Sequence, residues 1–227
     1  PDQRIATARE WAAGGLTGIK LFFDGDTRRG VEELAALRAA VPDIERWMVD
    51  VLWSLADVEA AAEARRAYGE LDVVWLECPL IPEDLDGHRQ LQEYPGTPVA
   101  LGEHFHTHYE SRSWLAGMAL NVFQPDVGRT GISDMLRQIE IGRAAGILTT
   151  PHMGSGLDIF QAATLHMAAV CEPDLLCEYQ AGLSGRLEGA IDTGWVYRDG
   201  SFVLPDRPGL GVDITLDHLE RFIVRAA

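Results

Sequence analysis

The sequence predicts an α/β fold of the TIM-type (β/α) barrel class. Two observations carry this. Short apolar strands alternate with amphipathic helical stretches along most of the 227 residues, the pattern of a parallel sheet covered by helices. A polar residue closes each strand in turn, at Lys20, Asp50, Glu77, Glu103, Asp126, His152 and Glu178. Their separations are 30, 27, 26, 23, 26 and 26 residues, a near-constant β/α unit that fits a barrel. An open doubly wound sheet is the alternative. Seven units in a row favour closure, and no Gly-x-Gly-x-x-Gly follows the first strand, which weakens a dinucleotide site.

Residues 2–15 read as a helix with Ile5, Ala8, Trp11 and Ala12 on one face, ended by Gly14-Gly15. The first strand is Thr17 to Phe23, carrying Lys20; Asp24-Gly25-Asp26 turns the chain into a helix over 28–41, with Val31, Leu34, Leu37 and Val41 inward. Trp47-Met48-Val49 is the next strand, followed by an alanine-rich helix at about 56–68. Strand Val73 to Leu76, helix 84–93, strand Val99-Ala100-Leu101 and helix 109–117 continue the alternation. Asn121 to Asp126, helix 132–145, strand Ile147 to Pro151, helix 157–170 and strand Leu175 to Glu178 complete it. Only seven strands are visible where a closed barrel needs eight, so the missing strand is expected before Pro1. Residues 1–180 are therefore expected to be a partial barrel. Beyond them the chain turns glycine-rich and irregular, with a hairpin over 195–203 and a short helix at about 215–225.

With 35 acidic and 19 basic residues the formal charge is −16. That balance disfavours nucleic acid and anionic membrane as partners. An anionic substrate then needs a local cation. An apolar fraction of 47% supports a sizeable core, and no run of about 18 apolar residues suggests a membrane span. Cys78, Cys171 and Cys177 form no paired pattern; reduced thiols and a cytoplasmic location are expected.

In a barrel every strand C-terminus faces one mouth, so the seven polar residues converge. Singly, each has an ordinary explanation: an Asp or Glu after a strand caps a helix, and a lone His is a hydrogen-bonded core residue. Seven in phase are harder to dismiss. Asp50, Glu77 and Glu103 close consecutive strands and make an all-oxygen set, which selects Mg²⁺, with Mn²⁺ next, over Zn²⁺. Without a cation their mutual repulsion is costly. Opposite them, Asp126 and His152 close adjacent strands. A carboxylate on one imidazole nitrogen sets the tautomer and makes the other nitrogen a general base, then an acid. A divalent metal facing such a pair suits proton abstraction beside a carboxylate.

The chain also resembles the barrel domain of the mandelate racemase branch of the enolase superfamily. Within that branch it is most similar to sugar-acid dehydratases of the L-rhamnonate dehydratase type. The resemblance is carried by Asp50 with Trp53-Ser54-Leu55, Trp75-Leu76-Glu77-Cys78, Gly102-Glu103-His104, Gln124-Pro125-Asp126-Val127-Gly128, Pro151-His152 and Pro208-Gly209-Leu210-Gly211-Val212, over residues 4–215. It implies that Asp50, Glu77 and Glu103 hold Mg²⁺ and that His152, oriented by Asp126, removes the proton alpha to a substrate carboxylate. The protonated ring would assist loss of the 3-hydroxyl, giving a 2-keto-3-deoxy sugar acid. Glu178 would hydrogen-bond near the developing enediolate, and Lys20 would contact the substrate carboxylate or the enediolate. The resemblance further implies an N-terminal capping domain absent from this chain, towards which residues 181–227 would return. A small-molecule sugar acid as partner and a homo-oligomer are expected.

Three departures stand out. Phe22 replaces the second lysine of the Lys-x-Lys strand, which disfavours two-base racemisation. Leu52 and Cys78 replace polar residues of many relatives. His104 follows a ligand and is a candidate for substrate contact; His106 and His108 are expected to begin the next helix or rim the mouth. Other enediolate chemistry, racemase, epimerase or cycloisomerase, is the alternative. Two further rivals are a Zn²⁺ hydrolase built on His104, His106 and His108, and a non-catalytic barrel.

Overall fold

A sequence that alternates apolar strands with one-sided helices buries its strands beneath those helices, and the chain does so. The computed structural model describes residues 2–171, 176–183, 186–187, 189–198 and 200–222. Strands β1 (Gly18–Phe22), β2 (Arg46–Asp50), β3 (Leu76–Glu77), β4 (Val99–Leu101), β5 (Val122–Phe123) and β6 (Leu148–Thr149) form one sheet in sequence order. Every pair is parallel. The helices α1 (Asp2–Ala13), α2 (Thr27–Ala40), α3 (Val58–Gly69), α4 (Leu85–Leu91), α5 (His108–Ala116), α6 (Val127–Ala144) and α7 (Asp158–Ala168) alternate with the strands. This is the wall of a TIM-type barrel, as predicted.

Helix starts follow local chemistry. Asp26 accepts from Arg29 N, Asp57 from Ala60 N, Asp84 from Gly87 N and Thr107 from Glu110 N. Each side chain satisfies one amide that the first turn leaves without a partner, contributing about 1 kcal/mol. Leu34, Leu37, Val49, Leu76, Val99, Leu101 and Phe123 are almost fully buried in one apolar cluster, each leucine or phenylalanine contributing about 1.5–3 kcal/mol. Register aligns the strand ends: Phe22 lies beside Asp50 and Asp50 beside Glu77, and an isolated parallel bridge joins Asp126 to His152.

Three segments differ from expectation. The helix read from 132 begins at Val127, because Asp126 Oδ1 accepts from Gly128 N at 2.7 Å and Arg129 N at 3.3 Å and nucleates an earlier turn. Gly131, at φ 71°, then breaks that helix before it resumes. The seventh predicted strand is not a strand over its described part, 176–178. Side chains hold it instead: Thr150 Oγ1 donates to Leu176 O at 2.6 Å, and Met153 N to Glu178 Oε2 at 2.9 Å; Leu175 lies outside the described residues. The predicted terminal helix is one turn, Leu216–Leu219, continued by a 3₁₀ turn at Glu220–Phe222, with 223–225 outside the described residues. The hairpin forms, Val196–Arg198 against Ser201–Val203, and Tyr197 Oη donates to Gly15 O at 2.6 Å, tying it to the barrel.

His88 in α4 shows a cost built into this packing. It is 1% exposed, donates from Nδ1 to Asp84 O at 2.7 Å and meets Trp114 edge-on at 5.0 Å. Burial holds its pKa below the ordinary histidine value. The unfolded chain therefore takes up its proton first, near pH 6.5, and stability falls as pH drops below that value towards the folded pKa. We expect His88→Phe to lose this part of the acid sensitivity, at most about 1.4 kcal/mol per pH unit. Urea unfolding at pH 7.5 and 5.5 checks it; an equal acid loss in both proteins would contradict the assignment.

Candidate active site at the strand ends

Strand periodicity puts residues i and i+2 on one face. In β1 this sends Lys20 and Phe22 to one side while Ile19 and Leu21 enter the core. Lys20 Nζ donates to Glu77 Oε1 at 2.6 Å and Glu178 Oε1 at 2.7 Å, and lies 3.8 Å from Asp50 Oδ2. The Phe22 ring stands 5.4 Å from Nζ. Burial alone would lower the Lys20 pKa, but Glu178, Glu77 and Asp50 outweigh it and raise it well above the usual value. Lys20 is charged.

Asp50 is 2% exposed and Glu77 1%. Burial pushes both carboxyls up, Asp50 to about 6 and Glu77 to about 7, against the pull of Lys20. Backbone strain adjoins both. Leu52 and Trp53, just beyond Asp50, have φ 53° and 56°, and Cys78, next to Glu77, has φ 51°. Such conformations in residues with side chains gather at functional sites. Gly102, at φ 144°, precedes Glu103, and a Cβ there would sit 2.8 Å from the Phe123 ring and 2.9 Å from Gln124 N. Only glycine lets the chain pass.

His152 is the second focus. Its Nδ1 lies 2.6 Å from Asp126 Oδ2 and its Nε2 2.9 Å from Glu103 Oε2. Burial alone would lower its pKa; hydrogen bonds to Asp126 and Glu103 and the charge of Glu178 raise it to about 10. Glu103 shows the converse. Burial raises it, and His152 pulls it below the usual carboxylate value.

Seven of the eight predicted residues thus come together in two groups, Lys20 with Asp50, Glu77 and Glu178, and His152 with Asp126 and Glu103, which approach one another through Glu77 and Glu103. His104 is not joined to them by a hydrogen bond. Its ring packs 4.0 Å from Phe105 and 5.7 Å from Trp114, with both nitrogens buried and unpartnered among the described residues. Burial lowers its pKa to about 4, so it is neutral, and substrate contact would require the ring to turn. His106 is exposed. His108 opens α5 and pairs through Nδ1 with Asp134 Oδ1 at 2.6 Å. Among the described residues these histidines join no cluster of potential metal donors.

Two donor triplets do occur, Asp50–Glu77–Cys78 and Glu77–Glu103–His152, sharing Glu77. The Cys78 thiol is held far above its usual pKa by burial and by Glu77, Asp50 and Glu103, which disfavours it beside the carboxylates as a donor. His152 is engaged with Asp126. That leaves Asp50 beside Glu77 in one triplet and Glu103 beside Glu77 in the other, hard oxygen donors of the kind Mg²⁺ takes, linked through Glu77. With Asp126 and Glu178 the cluster carries five carboxyl groups against Lys20 and His152, and a divalent cation suits that excess.

Sequence reading gave no role to three donors. Trp75 Nε1 donates to Glu77 Oε2 at 3.1 Å; Gln124 Nε2 donates to Glu77 Oε2 at 3.1 Å and Glu178 Oε1 at 3.0 Å; Met153 N holds Glu178. Trp75 and Gln124 each stand two residues before a recognised site residue, the strand period that could have found them.

The chain is the wall of a parallel β/α barrel with carboxylates and a His–Asp pair at its strand C-termini, the face on which barrels of this class carry their sites. Residues 3–218 match the enolase C-terminal domain-like family, and the chain belongs to it, within the mandelate racemase and muconate lactonising branch. It is 30% identical over 207 residues to D-galactarolactone cycloisomerase of Agrobacterium fabrum, covering 85% of this chain and 54% of that protein. It is 30% identical over 209 residues to L-rhamnonate dehydratase of Saccharopolyspora erythraea, covering 87% and 53%. The structure of L-talarate dehydratase from Polaromonas sp. JS666, complexed with Mg and L-glucarate, superposes with TM-score 0.80 at 27% identity, covering 95% of this chain and 58% of that one. The chain spans about half the length of the curated relatives it matches. No described helix is long and apolar enough to cross a membrane.

Lys20→Met leaves Glu77 and Glu178 facing one another without their shared cation. We expect a loss of about 3–5 kcal/mol, the cost of breaking a buried pair, read by urea unfolding of metal-free protein at pH 7.5. An unchanged midpoint would contradict the cluster as described.

Proposed function

We infer that the full-length protein is a Mg²⁺-dependent sugar-acid dehydratase, acting in the cytoplasm as a homo-oligomer. The observation that carries this reading is His152, held by Asp126 at 2.6 Å and mounted against Glu103 at 2.9 Å beside the Lys20–Glu77–Glu178 group. Asp50, Glu77 and Glu103 would hold the cation. When bound, Mg²⁺ supplies positive charge that stabilises the negative charge building on the substrate carboxylate.

The chain's own residues supply the rest. Asp126 accepts from Nδ1 of His152, which keeps Nε2 as the working nitrogen. The ring is held protonated while Nε2 faces Glu103; once Glu103 no longer accepts from it, the neutral Nε2 removes the proton alpha to the carboxylate, and the C–H electron pair becomes a C2–C3 double bond as the C3–O bond breaks. His152 returns its proton to the departing 3-hydroxyl, which leaves as water. The enol then tautomerises to the 2-keto-3-deoxy acid. Lys20 places a permanent positive charge beside the substrate carboxylate. Glu178 hydrogen-bonds near the developing charge. A contact from His104 to a substrate hydroxyl belongs to this proposal. Phe22, apolar and half-exposed near Lys20, offers no second base, which supports one-sided chemistry over racemisation.

Cycloisomerisation is the second reading, favoured by the cycloisomerases among the relatives. It shares removal of the alpha proton, but a ring oxygen departs in place of a hydroxyl. A screen of full-length protein with Mg²⁺ against sugar acids and their lactones separates the two. We expect acyclic acids to yield 2-keto-3-deoxy products, and His152→Asn to lower turnover and alpha-proton exchange in D₂O at least about 10²-fold, the scale of general acid–base catalysis. Turnover confined to lactones would replace dehydration by cycloisomerisation; unchanged exchange in His152→Asn would overturn both. Glu103→Gln should abolish Mg²⁺-dependent turnover, measured across a Mg²⁺ titration.

A further inference from the structure

Gln124 is a neutral side chain in the middle of the charged cluster. It is 1% exposed. Its amide nitrogen reaches Glu77 Oε2 at 3.1 Å and Glu178 Oε1 at 3.0 Å, while its Oε1 is buried with no partner among the described residues. Lys20 bridges the same two carboxylates, at 2.6 Å and 2.7 Å. The two bridges differ in kind. An ammonium cancels the charge of a carboxylate and so competes with any cation that approaches it. An amide fixes the carboxylate's direction and leaves its charge intact. The unpartnered Oε1 accepts a hydrogen bond, and a buried acceptor left empty costs free energy. It suits a state in which an O–H donor arrives with the ligand.

We propose that Gln124 is a positioning residue for the cation site: its amide orients Glu77 towards the ion and holds Glu178 in register with it, and its carbonyl accepts from a water carried by the ion. The proposal rests on the reading of Glu77 as a metal ligand. Groups that orient a ligand are worth 10–100-fold in metal affinity when removed.

The probe is Mn²⁺ alone, with free ion counted by electron paramagnetic resonance on the full-length protein, in wild type, Gln124→Met and Gln124→Leu. We expect wild type to bind one ion per chain and each variant to bind 10–100-fold more weakly. The metal-free thermal midpoint should fall modestly, because Glu77 and Glu178 each lose a donor, and its upward shift on Mn²⁺ should shrink. A residue with a merely structural role would lower the metal-free midpoint and leave Mn²⁺ affinity alone, and that result in either folded variant would overturn the proposal. Absence of Mn²⁺ binding by wild type would instead overturn the cation site itself.

Discussion

Negative charge is concentrated where this barrel can least solvate it. Asp50, Glu77, Glu103, Asp126 and Glu178 converge at the strand ends, four of them nine-tenths or more buried. Each buried carboxylate is costly unless paired or hydrogen-bonded, and much of the local structure answers that cost. Glu77 shows it most fully. One oxygen takes Lys20, and the other takes both Trp75 and Gln124. Burial nevertheless keeps its pKa raised. The arrangement is tolerable without a divalent cation and better suited to one.

The β/α repeat explains how the charges gather. Parallel strands in register bring Phe22, Asp50 and Glu77 to one level, and the chain leaves β2 and β3 through left-handed residues with side chains. A fold selected for stability alone would place glycine there. Glu103 joins the two halves of the site, since it lies in a possible donor triplet with Glu77 and also bonds His152. In the proposed mechanism a cation and the imidazole would compete for that carboxylate, coupling His152 to the state of the oxygen cluster.

Much of this was legible in the sequence, because the strand-end residues recur at one period and that period is what a barrel imposes. Seven of eight predicted site residues meet in space. What escaped was local. Asp126 was read as half of a dyad, yet its other oxygen also caps α6 and starts that helix before Gly131. His104 follows Glu103 in sequence, but its ring turns to Trp114, where aromatic packing outweighs proximity to that carboxylate. Gln124 and Trp75 were visible only as motif letters; a neutral donor's value depends on which carboxylates surround it, and that is settled by the fold.

The central claim is that this barrel holds a divalent ion by carboxylates while His152 stays with Asp126. Pulsed electron paramagnetic resonance of Mn²⁺ bound to protein labelled with ¹⁵N-histidine tests it most directly. An oxygen-only coordination shell, with no directly bound nitrogen, is the predicted result. A strong ¹⁵N coupling, placing His152 on the metal with Glu77 and Glu103, would contradict the account.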